Sequence, residues 1–252
     1  MGYTSLQVDI SNRCNLKCKF CLSQMNSTTH MSLEEPTQDL LIDRLSSAQV
    51  CGCSTLVLSG VGEPLLNQTY LSAILVANRW SVQPFNKIEL QTNGHLLTND
   101  FLQIFKAYGG TTVAISVPAS RHDAYVAYTG KPAPHFASII NMIHAHDLLA
   151  RFVILGTKNN SNISPDDLLG AIHFCSADQV TFKNLISVND TSLPGRWIAE
   201  NSADPKWFSQ IERCLTAPNK FGRMSIKIDL NCMEQGRYLV LRPWGLRNGW
   251  QE

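Results

Sequence analysis

Residues 14–21 read C-N-L-K-C-K-F-C and carry the most informative pattern in the sequence. Their three cysteines have the spacing C-x-x-x-C-x-x-C and are Cys14, Cys18 and Cys21. They directly follow an alternating run, residues 3–10, that is typical of a β-strand. Three thiolates on one loop can ligate an iron–sulfur cluster, and three ligands for four irons leave one iron open. The spacing also allows a zinc site, with His30 as the fourth ligand of a tetrahedron.

Length and charge narrow the class of protein. The 252 residues are enough to bury a substantial core in one α/β barrel-type domain or in two small ones. The 21 lysines and arginines nearly balance the 20 acidic residues, so no large positive field attracts nucleic acid or an anionic membrane. No apolar stretch near the N-terminus is long enough for a signal peptide or a membrane span. We therefore expect a soluble, cytoplasmic protein that has no membrane partner.

The eight cysteines fall into a cluster and a scattered group. Disulfides persist in oxidising compartments, and nothing in the sequence exports the protein, so metal ligation and free thiols are the better expectations. Cys51 and Cys53 precede the second strand candidate, on the side opposite to the expected site, which favours buried or incidental thiols. Cys214 and Cys232, with the distant Cys175, are too few to ligate a second cubane. The sequence therefore predicts one cluster.

Strand-like runs alternate with helix-like runs through most of the chain, which favours an α/β fold on a parallel sheet or barrel. The strand candidates are residues 3–10, 54–59, 86–92, 111–117, 150–156 and 178–184. The clearest amphipathic helix covers 135–148, where apolar residues recur at helical spacing. A capping box at Ser32 and Glu35, and Ser164 before Pro165, indicate helix starts.

Beyond about residue 186 the alternation of strands and helices stops, so we expect two units, residues 1–186 and 187–252. A short helix is indicated near 206–216. Two further alternating runs, 224–230 and 238–241, predict a small C-terminal hairpin. Because an isolated two-stranded hairpin is marginal in water, we expect this extension to pack over the mouth of the larger unit and cap it.

The cysteine segment, with an aromatic residue before its last cysteine, resembles the signature of the radical S-adenosylmethionine (SAM) superfamily. Residues 60–64, which read G-V-G-E-P, end the second strand candidate and are similar to the glycine-rich G-G-E-P loop of that family. In the family this loop binds the methionyl amino group through backbone groups, and glycines let a backbone approach a ligand closely. The resemblance implies cofactor contacts at Phe20, Gly60, Gly62, Glu63 and Pro64.

Similar segments follow at the ends of later strand candidates. Residues 91–94 read Q-T-N-G and residues 115–117 read I-S-V, which resemble the T-N-G and I-S-x-D segments of the family. Pro118-Ala119 stands where many members have an acidic residue. In relatives, the ends of the fifth and sixth strands flank the adenine. By this resemblance the further cofactor contacts are Asn93, Ser116, Gly156 and Phe182.

The resemblance implies a TIM-like partial (β/α)6 barrel with a short C-terminal extension. Each motif falls at the carboxyl end of a strand, the face where such barrels assemble their active sites. It also implies that Cys14, Cys18 and Cys21 hold a [4Fe–4S] cluster that cleaves SAM reductively, so that a 5′-deoxyadenosyl radical abstracts a hydrogen from the substrate. The implied partner is an electron donor such as flavodoxin or ferredoxin.

The sequence leaves the substrate open. Balanced charge and the lack of a recognisable RNA-binding module favour a peptide, a nucleotide or another small molecule. A tRNA-modifying enzyme is the alternative, because residues 220–252 hold six Lys or Arg against three acidic residues, so nucleic acid remains a candidate partner. A glycyl-radical-enzyme activase and a non-enzymatic structural metal module are further hypotheses. The side chains that could meet a substrate are Arg121, Lys183 and Arg242.

Overall fold

The computed structural model describes residues 3–21, 23, 35–187, 189–215, 224–229, 238–242 and 245–248. The strands within these ranges are β1 Ser5–Asp9, β2 Thr55–Ser59, β3 Ile88–Thr92, β4 Thr112–Val117, β5 Leu149–Gly156, β6 Gln179–Asn184, β7 Ser225–Asp229, β8 Tyr238–Arg242 and β9 Gly245–Asn248. The helices are α1 Gln38–Val50, α2 Gln68–Trp80, α3 Asn99–Ala107, α4 His122–Thr129, α5 Phe136–His144, α6 Lys158–Ser161, α7 Pro165–Phe174, α8 Leu193–Asn201 and α9 Pro205–Leu215.

Within the described ranges the strands form one sheet in the order β7-β6-β5-β4-β3-β2-β1-β8-β9. Strands β1 to β6 are parallel neighbours in chain order, and helices connect them, as short parallel strands require. Strands β7 and β9 end the sheet, and no ladder joins them in the part of the chain that the structure describes. The prediction of an α/β fold with a partial TIM-like barrel is therefore confirmed, and the barrel is open.

The predicted C-terminal hairpin is wrong. The run 224–230 contains β7, which pairs in parallel with β6, and the run 238–241 lies in β8, which pairs in parallel with β1. These two strands therefore extend opposite edges of the sheet. The alternating pattern identified each run as a strand but carried no information about its partner, and a sheet edge offers unpaired backbone groups to any strand that reaches it. The hairpin that does form joins β8 to β9.

The two faces of this sheet differ in composition. One face, which we call the helix face, packs against the helices and is apolar; its residues include Leu6, Val8, Leu56, Leu58, Ile88, Leu90, Val113, Ile115, Phe152, Ile154, Val180 and Phe182. Because side chains alternate along a strand, the residues between them form the opposite, concave face, which we call the lumen face. Its residues include Gln7, Asp9, Val57, Ser59, Glu89, Gln91, Ser116, Arg151, Val153, Gln179 and Lys183.

Helix boundaries follow local chemistry. The predicted start at Ser164 is confirmed, since its hydroxyl accepts a hydrogen bond from the backbone N–H of Asp167. The capping box at Ser32 lies outside the described residues. Helix α5 ends at His144, before the predicted residue 148, because Asp147 adopts a left-handed conformation (φ 53°) that turns the chain into β5.

Side chains after residue 186 pack into the same hydrophobic core as the helix face of the sheet. Trp207 and Phe208 on α9 are buried, and the Trp207 ring meets the Phe182 ring edge-on at 5.7 Å between centroids. Removing this part of the chain would expose the helix face beside β6. The division at residue 186 and the cap over the barrel mouth stay predictions. No helix in the described part of the chain is long and apolar enough to cross a lipid bilayer.

Candidate active site

A cavity of about 200 Å³ opens at the carboxyl ends of the central strands. The loop after β1, residues 11–21, which we call the cysteine loop, lines it with Cys14, Cys18, Phe20 and Cys21. The ends of β2, β3 and β4 contribute the other predicted residues that line it, which are Gly60, Gly62, Glu63, Asn93 and Ser116. Residues distant in sequence therefore meet at one cavity, as the shared end of parallel strands requires.

The cysteine loop is anchored to the end of α4. The backbone N–H of Lys17 donates to the carbonyl of Thr129 at 2.9 Å, and that of Lys19 donates to the carbonyl of Tyr128 at 3.0 Å. These two carbonyls lie in the last turn of α4, where no following helical N–H group is available to donate to them. The helix stops there because Gly130 has a left-handed φ of 79°. The cysteines are thus held by backbone hydrogen bonds on one side.

On its other side the cysteine loop is joined to residues 60–64, which we call the glycine loop. The N–H of Gly62 donates to the carbonyl of Ser11 at 2.7 Å, and the N–H of Glu63 donates to that of Arg13 at 2.8 Å. A Cβ at Gly62 would lie 2.1 Å from the Arg13 carbonyl oxygen. From the sequence alone, we expected a glycine at position 62 because the cofactor approaches the backbone there. The structure adds a nearer cause, which is that only glycine lets the two loops touch.

Glu63 is the buried carboxylate of the site, with 2% of its surface exposed. It accepts hydrogen bonds from the Thr92 hydroxyl at 2.6 Å, the Asn93 N–H at 2.9 Å and the Leu65 N–H at 3.2 Å. Burial raises the pKa of Glu63, while these hydrogen bonds oppose the rise. No Lys, Arg or His within the described residues forms an ion pair with it. A buried carboxylate of this kind favours a ligand that carries a positive charge.

Pro64 is also buried, but it does not line the cavity; it begins a short 3-10 helix, Pro64–Leu66, behind the glycine loop. Asn93 does face the cysteines. Its Nδ2 donates to Asn15 Oδ1 at 2.8 Å and lies 3.9 Å from Cys14 Sγ, and its Oδ1 accepts from the N–H of His95 at 3.1 Å. The third strand therefore supports the first cysteine directly.

Burial favours the protonated form of two of the three cysteine thiols in the loop. Burial, and then the neighbouring thiols, raises the pKa of Cys18 to about 12, and burial also raises the pKa of Cys14. Cluster binding must therefore release protons from these groups. A tetrahedral zinc site would need a fourth ligand besides these three thiols. His30 lies outside the described residues. Three soft donors around a cavity fit an iron–sulfur cluster.

Several predicted residues do not line the cavity. Phe182 lies on the helix face, and a Cβ at Gly156 would lie 2.5 Å from the ring of Phe208, so both positions serve core packing. Arg121 is exposed and forms an ion pair with Asp123 at 3.0 Å. Lys183 lies on the lumen face of β6, and Arg242 ends β8 beside β1.

Other lining residues were not predicted. Ser59, Gln91 and Thr92 come from the ends of β2 and β3. Tyr125 comes from α4, where its hydroxyl lies 3.4 Å from His95 Nε2, and burial raises the pKa of this phenol. The alternation of the strands would have identified Ser59 and Gln91, since their neighbours face the core. No signal in the sequence identifies Tyr125.

An aromatic cluster borders the cysteine loop. The ring of Trp197 on α8 lies 5.7 Å from that of Phe20 and 4.8 Å, edge-on, from that of Tyr128. Leu185 and Ile198 complete this small apolar group. The segment after residue 186 thus contacts the cysteine loop through Trp197, which packs against the cavity-lining Phe20.

The remaining cysteines lie elsewhere. Cys53 is buried in the core, as expected, and Cys51 is exposed. Cys175 and Cys214 are half-buried and pack against the core, and Cys232 lies outside the described residues. The prediction of a single cluster stays a prediction.

The fold and the cavity together define a class, that of α/β partial barrels with three thiols at the carboxyl ends of the strands. Residues 8–161 match the model of the Radical SAM superfamily. The chain belongs to this family, whose members are enzymes that use a [4Fe–4S] cluster and SAM.

Individual relatives are distant. The chain is 24% identical over 191 residues to the uncharacterised protein MJ0804 of Methanocaldococcus jannaschii, covering 73% of this chain and 58% of that protein. It is 26% identical over 156 residues to the GTP 3′,8-cyclase of Clostridium acetobutylicum, covering 62% of this chain and 46% of the cyclase. The chain therefore spans about half the length of the curated relatives it matches.

Solved structures share the fold. Streptococcus suis SuiB bound to SAM superposes with a TM-score of 0.71 at 13% identity, over 96% of this chain and 59% of SuiB. SuiB bound to its precursor peptide SuiA superposes with a TM-score of 0.64 at 15% identity, over 91% of this chain and 49% of SuiB.

Proposed function

We propose that Cys14, Cys18 and Cys21 hold a [4Fe–4S] cluster and that the adjoining cavity binds SAM. The observation that carries this proposal is that the three thiols and the glycine loop line the same cavity. When bound, the cluster and SAM would supply the radical chemistry that removes a hydrogen from a substrate. The protein supplies position, charge and exclusion of water.

The chain offers separate groups to the ends of the cofactor. The buried carboxylate of Glu63, together with backbone groups of Gly60 and Gly62, suits the positively charged amino group of SAM. Asn93 and Ser116 line the same cavity and offer an amide and a hydroxyl to the polar groups of the cofactor. Gly156 and Phe182 are left out of the cofactor site, because both pack in the core.

The aromatic cluster of Phe20, Tyr128 and Trp197 shields the cysteine loop. A radical intermediate needs a site from which water and other reactants are kept away. Trp197 belongs to the segment after residue 186, so its packing supports the proposal that this segment caps the barrel mouth.

For the substrate we propose a peptide, a nucleotide or another small molecule. The support comes from relatives: SuiB has been solved with its precursor peptide, and GTP 3′,8-cyclases act on a nucleotide. Of the predicted substrate contacts, Lys183 keeps the best position, because it lies on the lumen face next to the cavity-lining Leu155 in the sheet register. A reducing partner of the flavodoxin or ferredoxin type is required to deliver the electron.

Anaerobic reconstitution with iron and sulfide tests the proposal. The protein is expected to bind about four irons per chain and to form 5′-deoxyadenosine from SAM when dithionite is added. The variant with all three cysteines of the loop changed to alanine should bind no cluster and form no 5′-deoxyadenosine. Equal iron in this variant, or one tightly bound zinc per chain in the wild type, would contradict the assignment.

A further inference from the structure

A chain of polar side chains runs along the lumen face away from the cavity. The Ser59 hydroxyl donates to Gln91 Oε1 at 3.3 Å, and Gln91 Nε2 donates to Glu89 Oε1 at 3.0 Å. Ser59 and Gln91 line the cavity, whereas Glu89 lies one step deeper on β3. The chain therefore connects the cavity with the interior of the barrel.

At its deeper end this chain is fixed by an ion pair. The Nη1 of Arg151 on β5 bonds to Glu89 Oε2, and 6% of the Glu89 side chain and 20% of the Arg151 side chain are exposed. The guanidinium is itself oriented by Gln179 on β6, whose Oε1 accepts from Nε at 2.8 Å and from Nη2 at 2.6 Å. Three strands thus hold one carboxylate in place.

This arrangement determines which way the Gln91 amide points. A carboxylate can only accept hydrogen bonds, so the NH₂ end of Gln91 must face Glu89. A flipped amide would set its carbonyl oxygen against the carboxylate, although its NH₂ could still donate to the Ser59 hydroxyl, so Glu89 is the group that decides the orientation. After these bonds, Gln91 retains one N–H and one carbonyl lone pair for a ligand in the cavity.

We propose that the Arg151–Glu89 ion pair is a positioning element of the SAM site, which fixes the orientation of the Gln91 amide so that Gln91 contacts bound SAM. This inference rests on the proposed function. Gln91 is the residue that touches the cofactor, and Glu89 and Arg151 act only through it. Such an orientation raises the affinity for SAM, because the Gln91 side chain is already ordered before SAM binds and loses little entropy on binding.

The test measures the dissociation constant of SAM by equilibrium dialysis on the reconstituted protein, together with the melting temperature. The double variant Glu89→Leu/Arg151→Leu removes both charges, and apolar replacement of a whole buried pair is often neutral for stability. We expect a melting temperature close to that of the wild type and a dissociation constant raised about fivefold to tenfold, the effect of about one hydrogen bond.

Gln91→Ala should raise the dissociation constant by the same factor, and adding it to the double variant should cause no further rise. If the double leucine variant fails to fold, Glu89→Gln/Arg151→Gln is used in its place. This variant leaves the Gln91 amide free to flip, so we expect the dissociation constant of SAM to rise about threefold. Asp178→Asn is the control, since it alters another hydrogen-bonded side-chain pair, His144 Nε2 with Asp178 Oδ2 at 2.9 Å, outside the cavity. It should lower the melting temperature and leave SAM affinity unchanged.

A wild-type dissociation constant in the charge-free variant, or a further rise on adding Gln91→Ala, would overturn the inference while leaving the proposed function intact. A wild-type protein that binds iron but no SAM would overturn both. Retention of four irons in every variant shows that the cysteine loop is intact, which separates a lost cofactor contact from a lost cluster.

Discussion

The helix face and the lumen face of one sheet carry different kinds of information. On the helix face, residues such as Leu56, Ile88 and Ile115 are fully buried among other apolar side chains. On the lumen face, Glu89 and Arg151 are paired and hydrogen-bonded across strands. Apolar packing depends on volume and tolerates similar residues, whereas a polar network depends on each donor and acceptor. The helix face therefore maintains the fold. The lumen face determines the chemistry together with its rim, by which we mean the cysteine loop, the glycine loop and the other cavity-lining residues at the carboxyl ends of the strands.

The largest effect is expected at the rim. Cys18→Ala removes one of the three proposed cluster ligands, so the iron content should fall from about four per chain to near background and SAM cleavage should stop. The matched control is Cys53→Ala, which removes a thiol buried in the core. It should lower the melting temperature slightly and keep the full iron content. Loss of iron in Cys53→Ala but not in Cys18→Ala would mean that the cluster is held in the core and not at the cysteine loop.

A glycine at the rim and a glycine on the helix layer should also respond differently. Gly62→Val forces a side chain against the Arg13 carbonyl, so the cysteine loop must move, and iron content is expected to fall by half or more. Gly170→Ala on α7 is the control, because its added Cβ meets no atom within 4 Å. It should stabilise the protein by about 0.5–1 kcal/mol, measured by urea unfolding. Full iron and unchanged SAM affinity in Gly62→Val would show that the two loops are not coupled.

A smaller effect is expected from the aromatic cluster. Trp197→Ala removes the ring that covers Phe20 and should cost about 2 kcal/mol of unfolding free energy, since the side chain is only half-buried. Absorbance of the cluster should also decay several-fold faster in air. Trp80→Ala removes an exposed tryptophan at the end of α2 and should change neither quantity. Equal decay rates in the two variants would argue against a shielding role for α8.

The smallest effects compare two adjacent residues of β4. Ser116→Ala changes the cavity wall and should raise the dissociation constant of SAM about threefold with little change in stability. Ile115→Val changes the helix face and should cost about 1 kcal/mol of unfolding free energy with unchanged SAM affinity. Equilibrium dialysis measures the SAM affinity of both variants, and urea unfolding measures their stability. Affinity that follows Ile115 instead of Ser116 would mean that the faces are not independent.

Much of the rim could be predicted from the sequence. Strand ends are recognisable because apolar alternation stops at a glycine or a polar residue, as at Gly60 and Asn93, and parallel strands bring their ends together. Phe182 was assigned to the cofactor because it ends a strand, although its alternation with Val180 indicates the helix face. A strand end alone therefore does not fix the direction of a side chain.

Two other features could not be predicted from the sequence. The partners of β7 and β8 depend on which sheet edge each strand reaches, and alternation does not encode this. The Glu89–Arg151 pair joins residues that are 62 positions apart. A single charged residue in a strand candidate has many possible partners, so only the register of β3, β4 and β5 brings these two together.

The proposed function requires that the three thiols leave one iron of the cluster open to a SAM molecule in the same cavity. This contact can be measured by electron paramagnetic resonance of the reduced protein with SAM that carries a magnetic isotope of nitrogen in its amino group. We expect a magnetic coupling between that nitrogen and the cluster in the wild type and in Cys53→Ala. A fully formed cluster whose spectrum is unchanged by SAM, with no coupling to the labelled nitrogen, would contradict the proposed function.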